Sequence, residues 1–198
     1  MDFQTSKNLG GVGALLLFIG PLFSYAHFLG GFLSPIGFIL VLIALKSFAD
    51  HYKDAGIFNN ALYSFITCIV GVVLAVGVFI ATAFAVIADL GITDWTNAAE
   101  WTAVFASEIA LDSLLALLGG GIIALVILYV FVILTAWLYR KSLVKLASKT
   151  GVGLFGTAGL LFLIGAVIPV VGLLLTWVSS LLVAIAFFSM KPTAEPPP

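Results

Sequence analysis

The sequence predicts an all-α membrane protein whose six transmembrane helices form three hairpins, and three observations support this class. First, 63% of the 198 residues are hydrophobic and only 9% are charged, with a mean hydropathy of +1.27, whereas soluble proteins carry roughly 25% charged residues. Second, the chain contains six apolar runs near the ~20 residues that a helix needs to cross a bilayer. Third, all eight basic residues fall on one side of that six-span arrangement, and the other side carries five of the nine acids and no Lys or Arg.

The six runs are predicted spans, and their lengths predict how they fold. They cover residues 9–28, 31–49, 57–88, 109–138, 152–168 and 170–190. The first two runs are nearly continuous, as are the last two, and one helix of either length would be ~60 Å long, twice the bilayer core. Each pair is therefore predicted to fold back as a hairpin. The two middle runs are long enough that they must tilt strongly or project into water.

Turn-forming residues mark the two outer hairpins. In the first hairpin the second helix is predicted to begin between Gly31 and Pro35. The residues that mark the turns are Pro21, Ser24, His27, Gly30, Gly31 and Pro35 in the first hairpin, and Gly165, Pro169 and Gly172 in the last.

The charge distribution predicts the orientation. All eight basic residues fall on one side of the six-span arrangement: Lys7, Lys46, Lys53, Arg140, Lys141, Lys145, Lys149 and Lys191. The opposite side receives only acids: Asp89, Asp94, Glu100, Glu108 and Asp112. By the positive-inside rule both termini are cytoplasmic. We therefore expect one polytopic domain over residues 1–190 of a multi-pass cell (plasma) membrane protein, followed by a Pro-rich cytoplasmic tail at 191–198. No small-x-small cleavage site follows the first run, which predicts a retained span rather than a signal peptide.

The acidic outer segment contains a predicted short interfacial helix. Asn97 and Glu100 have the spacing of a capping box. Apolar residues then recur at helical spacing, which predicts a helix from about Ala98 that leans on lipid and runs into the fourth span. Its acids would make either a cation-attracting vestibule or a solvated face, and the solvated face is favoured.

Charged residues on the basic side predict pairing and lipid contact rather than a metal site. Lys46 pairs with Asp50 at i,i+4, and Asp50 pairs with Lys53 at i,i+3. A metal site would use Asp50, His51 and Asp54, but His51 points away from the face that the two acids share. The four basic residues of the fourth connection, Arg140, Lys141, Lys145 and Lys149, are candidates for anionic lipid head groups at ~1 kcal/mol per charge, or they only set topology.

Small residues predict close helix packing in the third and fourth spans. Gly71 and Ala75, and then Gly77, Ala81 and Ala85, recur four apart in the small-xxx-small pattern,. The pattern predicts a packing face within the bundle or between protomers. The run Gly119, Gly120 and Gly121 is interpreted either as a close packing site or as a hinge.

Catalytic, cofactor and metal sites are not predicted. His27 and His51 fall on opposite sides of the bilayer, and Cys68 has no neighbouring charge that would activate its thiol. Residues 151–156 match G-x-G-x-x-G, but no strand precedes them and no acid follows at the required distance. Asp112, a few residues inside the fourth span, is the one acid to test for transport. Trp177 lies inside the last span, so its indole N–H is expected to bond to a neighbouring helix.

Both outer hairpins begin with a similar sequence, Ser-Lys followed by a Leu-rich stretch, which is a weak parallel repeat.

Several segments of the chain resemble a known family. The segments that carry the resemblance are residues 6–15, 49–54, 57–63, 150–155 and 184–189. They are similar to archaeal integral membrane proteins of domain of unknown function 996. The resemblance implies an archaeal plasma membrane and carries over no activity. Asn59 and Asn60, within these segments, are the polar pair to mutate first, with helix capping or interhelical hydrogen bonding as their simpler role.

Three functions remain open on the sequence. The first is a non-enzymatic structural or assembly component that packs against itself or partner membrane subunits. The alternative is a small-solute channel or carrier with a glycine hinge in the fourth span. A lipid-modifying enzyme comes last, because no catalytic constellation supports it. The expected partners are membrane lipids and other subunits in a homo-oligomer or a larger membrane complex. Binding of nucleic acid is not expected.

Overall fold

The chain folds into seven helices in a computed structural model that describes residues 1–24, 30–94, 96–106 and 111–192. In chain order the helices are α1 (Phe3–Ser24), α2 (Gly30–His51), α3 (Ala55–Asp89), α4 (Ala98–Ala106), α5 (Leu111–Thr150), α6 (Leu154–Val167) and α7 (Val171–Ser189). Within the described residues every regular element is a helix, which confirms the all-α class.

Five of these helices are long and apolar enough to cross a membrane, namely α1, α2, α3, α5 and α7. The fifth predicted span corresponds to α6, which has 14 residues and is shorter than a full crossing. Some predicted features lie outside the described residues: the turn at 25–29 with His27, the junction at 107–110 with Glu108, and the tail beyond residue 192.

The residues divide into two compact units, and the boundary cuts through α3 and α5. Unit 1 contains residues 1–67 and 133–198, and unit 2 contains residues 68–132. Both helices continue through the boundary unbroken, with 35 residues in α3 and 40 in α5. At 1.5 Å per residue they are ~52 and ~60 Å long. The other long helices have 19 to 22 residues.

The core of unit 1 lies where the predicted cytoplasmic ends of its helices meet. Phe48, Phe155 and Phe187 are its largest buried side chains. The Phe155 and Phe187 rings meet edge to face with centroids 5.0 Å apart. Leu143 and Leu146 of α5 are fully buried in the same cluster. Dense packing is therefore concentrated at the end that carries the basic residues.

Glycine pairs allow the two outer hairpins to close. A Cβ on Gly13 would lie 2.6 Å from the Gly37 carbonyl oxygen, so α1 and α2 cross in backbone contact. A Cβ on Gly172 would overlap the Gly165 carbonyl, so α6 and α7 are equally close. The last turn itself uses Pro169 and Val170 instead, and Val170 has φ +68°. Gly165 and Gly172 are thus packing residues within the helices rather than turn residues.

Proline positions correct the prediction for the first hairpin. Pro21 lies inside α1 and Pro35 inside α2, so neither residue is in the turn. Helix α2 begins at Gly30, just before the predicted window.

Helix α5 extends beyond its predicted end at residue 138 as far as Thr150. The basic segment continues the helix because Ser142, Leu143 and Leu146 recur on one face and are buried. The aromatic residues Trp137 and Tyr139 near the predicted end of this span are typical of a membrane interface, but Tyr139 is only 7% exposed and belongs to the core. Trp137 is 45% exposed.

Candidate functional site

The two small-residue series of α3 have different surroundings in unit 2. Gly71 packs against the Phe131 side chain of α5 so closely that an added Cβ would clash. Ala75, on the same face, is 6% exposed. In contrast, Gly77 has no atom within 4 Å of the position of a Cβ. Ala81 and Ala85 are exposed as well. The first series therefore packs inside the hairpin, and the second forms an unoccupied stripe along α3.

The glycine run of α5 lies within a continuous helix. Gly120 is buried against the Thr82 side chain, where a Cβ would clash. Gly119 and Gly121 face open space. Thr82 itself is fixed because its hydroxyl donates to the Val78 carbonyl at 2.9 Å. The central glycine therefore has a packing role, and a hinge at the run stays a prediction.

Unit 1 contains a cavity of about 600 Å³. Its walls come from all six helical segments of the unit. Most of the lining residues are apolar and a few carry hydroxyl groups. They include Leu22, Ser64, Thr135, Tyr139, Leu173 and Ser180. Within the described part of the chain, no Lys, Arg, His, Asp or Glu side chain lines it. The volume lies within the range of roughly 300–1,000 Å³ that is usual for small-molecule sites.

Hydroxyl groups around this cavity bond mostly to backbone carbonyls. Ser64 donates to the Thr135 carbonyl at 2.9 Å, which ties α3 to α5. Ser179 donates to the Ala158 carbonyl at 2.7 Å, which ties α7 to α6. The Thr135 hydroxyl is buried and has no hydrogen-bond partner. An unpaired buried hydroxyl is costly, and because the Thr135 side chain lines the cavity, a rotation about its χ1 would let this group donate to an occupant,.

Trp177 also lines the cavity, and it makes the interhelical hydrogen bond that the sequence predicts. Its indole N–H donates to the Phe18 carbonyl at 2.7 Å. The indole also stacks on the Phe18 ring, with centroids 4.6 Å apart and planes 7° apart. One side chain of α7 thus makes both a hydrogen bond and a stack with α1.

The predicted polar candidates have no common site. Asn60 donates from Nδ2 to the Gly56 carbonyl at 2.6 Å, which is a bond within the first turns of α3. Asn59 is exposed. Asp112 is exposed in the first turn of α5, in unit 2.

The four basic candidates at the end of α5 have different partners. Lys145 bridges to Asp54 at 3.1 Å. The Lys141 ammonium lies 3.4 Å from the centroid of the Trp137 ring, in a cation–π contact,. Arg140 packs its stem beside Gly159 of α6. Lys149 is exposed. Two of the four cations are thus already engaged within the protein.

Asp54 shows the electrostatic effect of this arrangement. The Lys145 ammonium, and then the Gly56 N–H, hold the pKa of the Asp54 carboxyl below its usual value by bonding to the charged form,. The predicted Lys46–Asp50 pair is confirmed at 2.8 Å. The predicted Asp50–Lys53 pair is wrong: Lys53 ends the turn with φ +52°, and its backbone N–H, not its ammonium, bonds to Asp50.

His51 faces aromatic rings rather than acids. Its ring meets Tyr52 with centroids 4.9 Å apart, and Phe3 with centroids 5.7 Å apart. Within the described part of the chain, no group of three His, Cys, Asp or Glu side chains could hold a metal ion.

The short outer helix α4 begins at Ala98, as predicted. Asn97 caps it by accepting the Ala99 N–H at 3.0 Å. Glu100 reaches farther back than a standard capping box and accepts the N–H groups of Asp94 and Thr93 at 3.1 and 2.7 Å. These bonds lower the pKa of the Glu100 carboxyl. The acid is therefore used to fold its own loop.

Sequence reasoning missed the cavity and the buried serine hydroxyls that join the helices of unit 1. Ser64, Ser142 and Ser179 are at most 1% exposed. Each donates to a carbonyl of another helix, and Ser142 bonds to Ile57 at 2.5 Å. Serine in an apolar span is the signal that was available, because small hydroxyl residues join helices in membranes.

Comparison with known proteins adds family membership but no activity. The family described as "Protein of unknown function (DUF996)" matches residues 33–181. An uncharacterized protein of Methanocaldococcus jannaschii, MJ1644, is 30% identical over 192 residues, which cover 96% of this chain and 94% of that protein. No solved structure matches.

Proposed function

Because the chain belongs to the DUF996 family of proteins of unknown function, we propose from its geometry that it is a non-enzymatic assembly component of the membrane. In this proposal, the middle hairpin of α3 and α5 packs against a second copy of the same chain. The contact is the stripe of Gly77, Ala81 and Ala85 on α3. The single observation that carries the proposal is the open space beside Gly77 on a helix whose other small-residue face is already packed.

Physical reasoning favours this stripe over the rest of the exposed surface. Many large apolar residues of α3 are exposed, such as Val73 at 63% and Phe84 at 54%, and lipid chains solvate these well. Small residues offer lipid little contact but allow a second backbone to approach closely, which gains dispersion contacts and weak Cα–H hydrogen bonds. A stripe of three small residues in two helical turns is therefore a better contact for protein than for lipid.

A matched pair of glycine substitutions tests the proposal. Gly77→Leu adds bulk to the stripe, and Gly121→Leu adds the same bulk to α5 at another glycine with open space beside it. Single-molecule photobleaching in vesicles would give the fraction of dimer as a function of protein density. We expect Gly77→Leu to weaken self-association at least about tenfold, or 1.4 kcal/mol, and Gly121→Leu to leave it unchanged. A monomeric wild type, or equal effects of both variants, contradicts the proposal.

The proposal includes the topology that the charges favour. Six crossings require that the 14-residue α6 spans with its flanking residues, and the positive-inside rule then gives cytoplasmic termini in a plasma membrane,. Lys149 and Arg140 would contact anionic lipid on that side, while Lys145 remains paired with Asp54. Reporter fusions at both termini test this arrangement, and an external C-terminus contradicts it.

A small-solute carrier is the second candidate, and the cavity of unit 1 is the observation that favours it. The cavity lies next to the dense aromatic core, so a carrier would have to open that core during transport. A bend at Gly119–Gly121 is the motion that this candidate invokes. Uptake of a solute into vesicles by wild type, with loss in Gly119→Leu, where the added side chain has open space beside it, is its test.

A further inference from the structure

The cavity of unit 1 is closed at one end and open at the other. On α7 the lining residues lie between Leu173 and Val183, and the core residues Ala184, Phe187 and Met190 follow. The same order holds on α5, where Thr135 lines the cavity and the buried Leu143 and Leu146 come after it. The core thus closes the end with the basic residues.

The opposite end is a mouth made of exposed apolar side chains. Leu22 of α1 is 52% exposed, and Leu173 and Leu174 of α7 are 74% and 62% exposed. A molecule with an apolar chain can enter between these residues from the hydrocarbon region without exposing that chain to water.

The lining also restricts the chemistry of an occupant. Among the residues that the structure describes, no Lys, Arg, His, Asp or Glu lines the cavity, so a charged head group would lose its hydration there without gaining an ionic partner, which is strongly unfavourable,. The Thr135 hydroxyl, buried and without an acceptor, would gain a partner if an occupant brought an oxygen atom to it,. The Tyr139 side chain, one helical turn along α5, lines the same end.

We infer that this cavity binds an uncharged amphiphile with one long apolar chain and a hydroxyl or carbonyl oxygen, such as a long-chain alcohol. The oxygen lies beside Thr135 and accepts its hydroxyl proton in a hydrogen bond. The chain runs past Trp177 towards the mouth at Leu22 and Leu173. A methylene group has a volume similar to the ~30 Å³ of a water molecule, so roughly 15 to 20 carbon atoms would fill about 600 Å³,.

This inference is independent of self-association through α3, because every lining residue belongs to unit 1. Binding without transport would overturn the carrier and leave the inference intact. Dimerisation without binding would overturn the inference and leave the assembly function intact.

Photo-crosslinking to the full-length protein in mild detergent tests it. The probe is a sixteen-carbon alcohol with a diazirine either near the hydroxyl or near the chain end, and peptide mapping locates the label. We expect saturable labelling that unlabelled hexadecanol removes and palmitate does not. The head-group diazirine labels α5 around Thr135, and the chain-end diazirine labels α7 around Leu173 or α1 around Leu22.

Variants separate the cavity from the general lipid-facing surface. Ser180→Phe fills part of the cavity. Ser189→Phe is the matched control on the same helix, because Ser189 lies outside the lining. Both serines donate to a carbonyl of their own helix. Saturable labelling should be lost in Ser180→Phe and retained in Ser189→Phe. Leu22→Trp narrows the mouth at an exposed position and should also lose it, which keeps the test valid if Ser180→Phe does not fold.

The hydroxyl contact has its own control. Thr135→Val keeps the shape of the side chain and removes the donor, so labelling by the alcohol should fall about fivefold relative to a hydrocarbon probe of equal length, the equivalent of one hydrogen bond. The inference would be overturned by labelling that is non-saturable or spread over the lipid-facing helices. Equal competition by palmitate or by two-chain phospholipid would overturn it too, as would equal labelling in Ser180→Phe and Ser189→Phe.

Discussion

Trp177→Phe is predicted to destabilise the protein by breaking the bond between α7 and α1 while keeping an aromatic ring against Phe18. In wild type the indole N–H donates to the Phe18 carbonyl at 2.7 Å, and the rings stack at 4.6 Å. A hydrogen bond contributes about 0.5–1.5 kcal/mol in general, and interhelical bonds within membranes average about 0.6 kcal/mol with a maximum near 1.7. The smaller ring adds a further loss of packing. We therefore expect a decrease of about 1–2 kcal/mol in the free energy of unfolding.

The assay is equilibrium unfolding in mixed micelles of mild detergent and increasing SDS, monitored by circular dichroism. Trp137→Phe is the matched control, because Trp137 is 45% exposed and its ring contacts the Lys141 ammonium of the same helix. It should change the free energy of unfolding by less than about 0.5 kcal/mol, as is usual for surface substitutions. Equal losses in the two variants would refute the assignment of a structural bond to Trp177.

Three further predictions concern single polar groups. Thr135→Val should raise the free energy of unfolding by about 1 kcal/mol in ligand-free protein, because it removes a buried hydroxyl without a partner, and the same SDS titration measures it,. Asp54→Asn should cost a fraction of a kcal/mol at neutral pH, since the Lys145 pair is partly exposed,. The pKa of Asp54 is lower in the folded than in the unfolded state. The loss of unfolding free energy in the variant should therefore be complete above pH ~4 and should shrink as the pH falls through the folded pKa. A loss that does not shrink as the pH falls below ~4 would contradict the assignment,. Glu100→Ala should speed amide exchange, measured by mass spectrometry, at the two N–H groups that this carboxylate accepts, and unchanged exchange would contradict that role.

Hydropathy was sufficient to predict the helices because apolar length is a strong constraint in a bilayer. Helix α3 begins at Ala55 and ends at Asp89, within two residues of the predicted span at each end. The end of helix α5 lies farther from its predicted position, because the run of basic residues after the span predicts a connection and the helix continues through it to Thr150. The residues that extend the helix there, Leu143 and Leu146, have helical spacing, but only the fold reveals that both are fully buried.

Small residues were predicted to pack closely, and the pattern alone could not distinguish their partners. Gly71 and Gly77 belong to similar series, yet one meets Phe131 and the other meets nothing. The difference depends on the rotation of α3 relative to α5, which is a tertiary property. For the same reason the sequence predicts Gly165 and Gly172 as turn residues, whereas in the structure they let two helix backbones touch.

The cavity could not be predicted because it is the space that six helical segments leave between them. Its lining residues are ordinary apolar and hydroxyl side chains, with no motif or charge to mark them. Trp177 was the exception, because an indole N–H inside a span requires a partner wherever the fold places it,.

Disulfide crosslinking along α3 tests the assembly proposal most directly. The native Cys68 is first replaced by serine, and a single cysteine is then introduced at Ala81, within the stripe, or at Val76, which is also exposed but lies about 140° around the helix at ~100° per residue,. In native-like vesicles under mild oxidation, Ala81→Cys should form a disulfide-linked dimer at low protein density, and Val76→Cys should not. Equal crosslinking at the two positions, or none at Ala81, would contradict self-association through the Gly77–Ala81–Ala85 stripe.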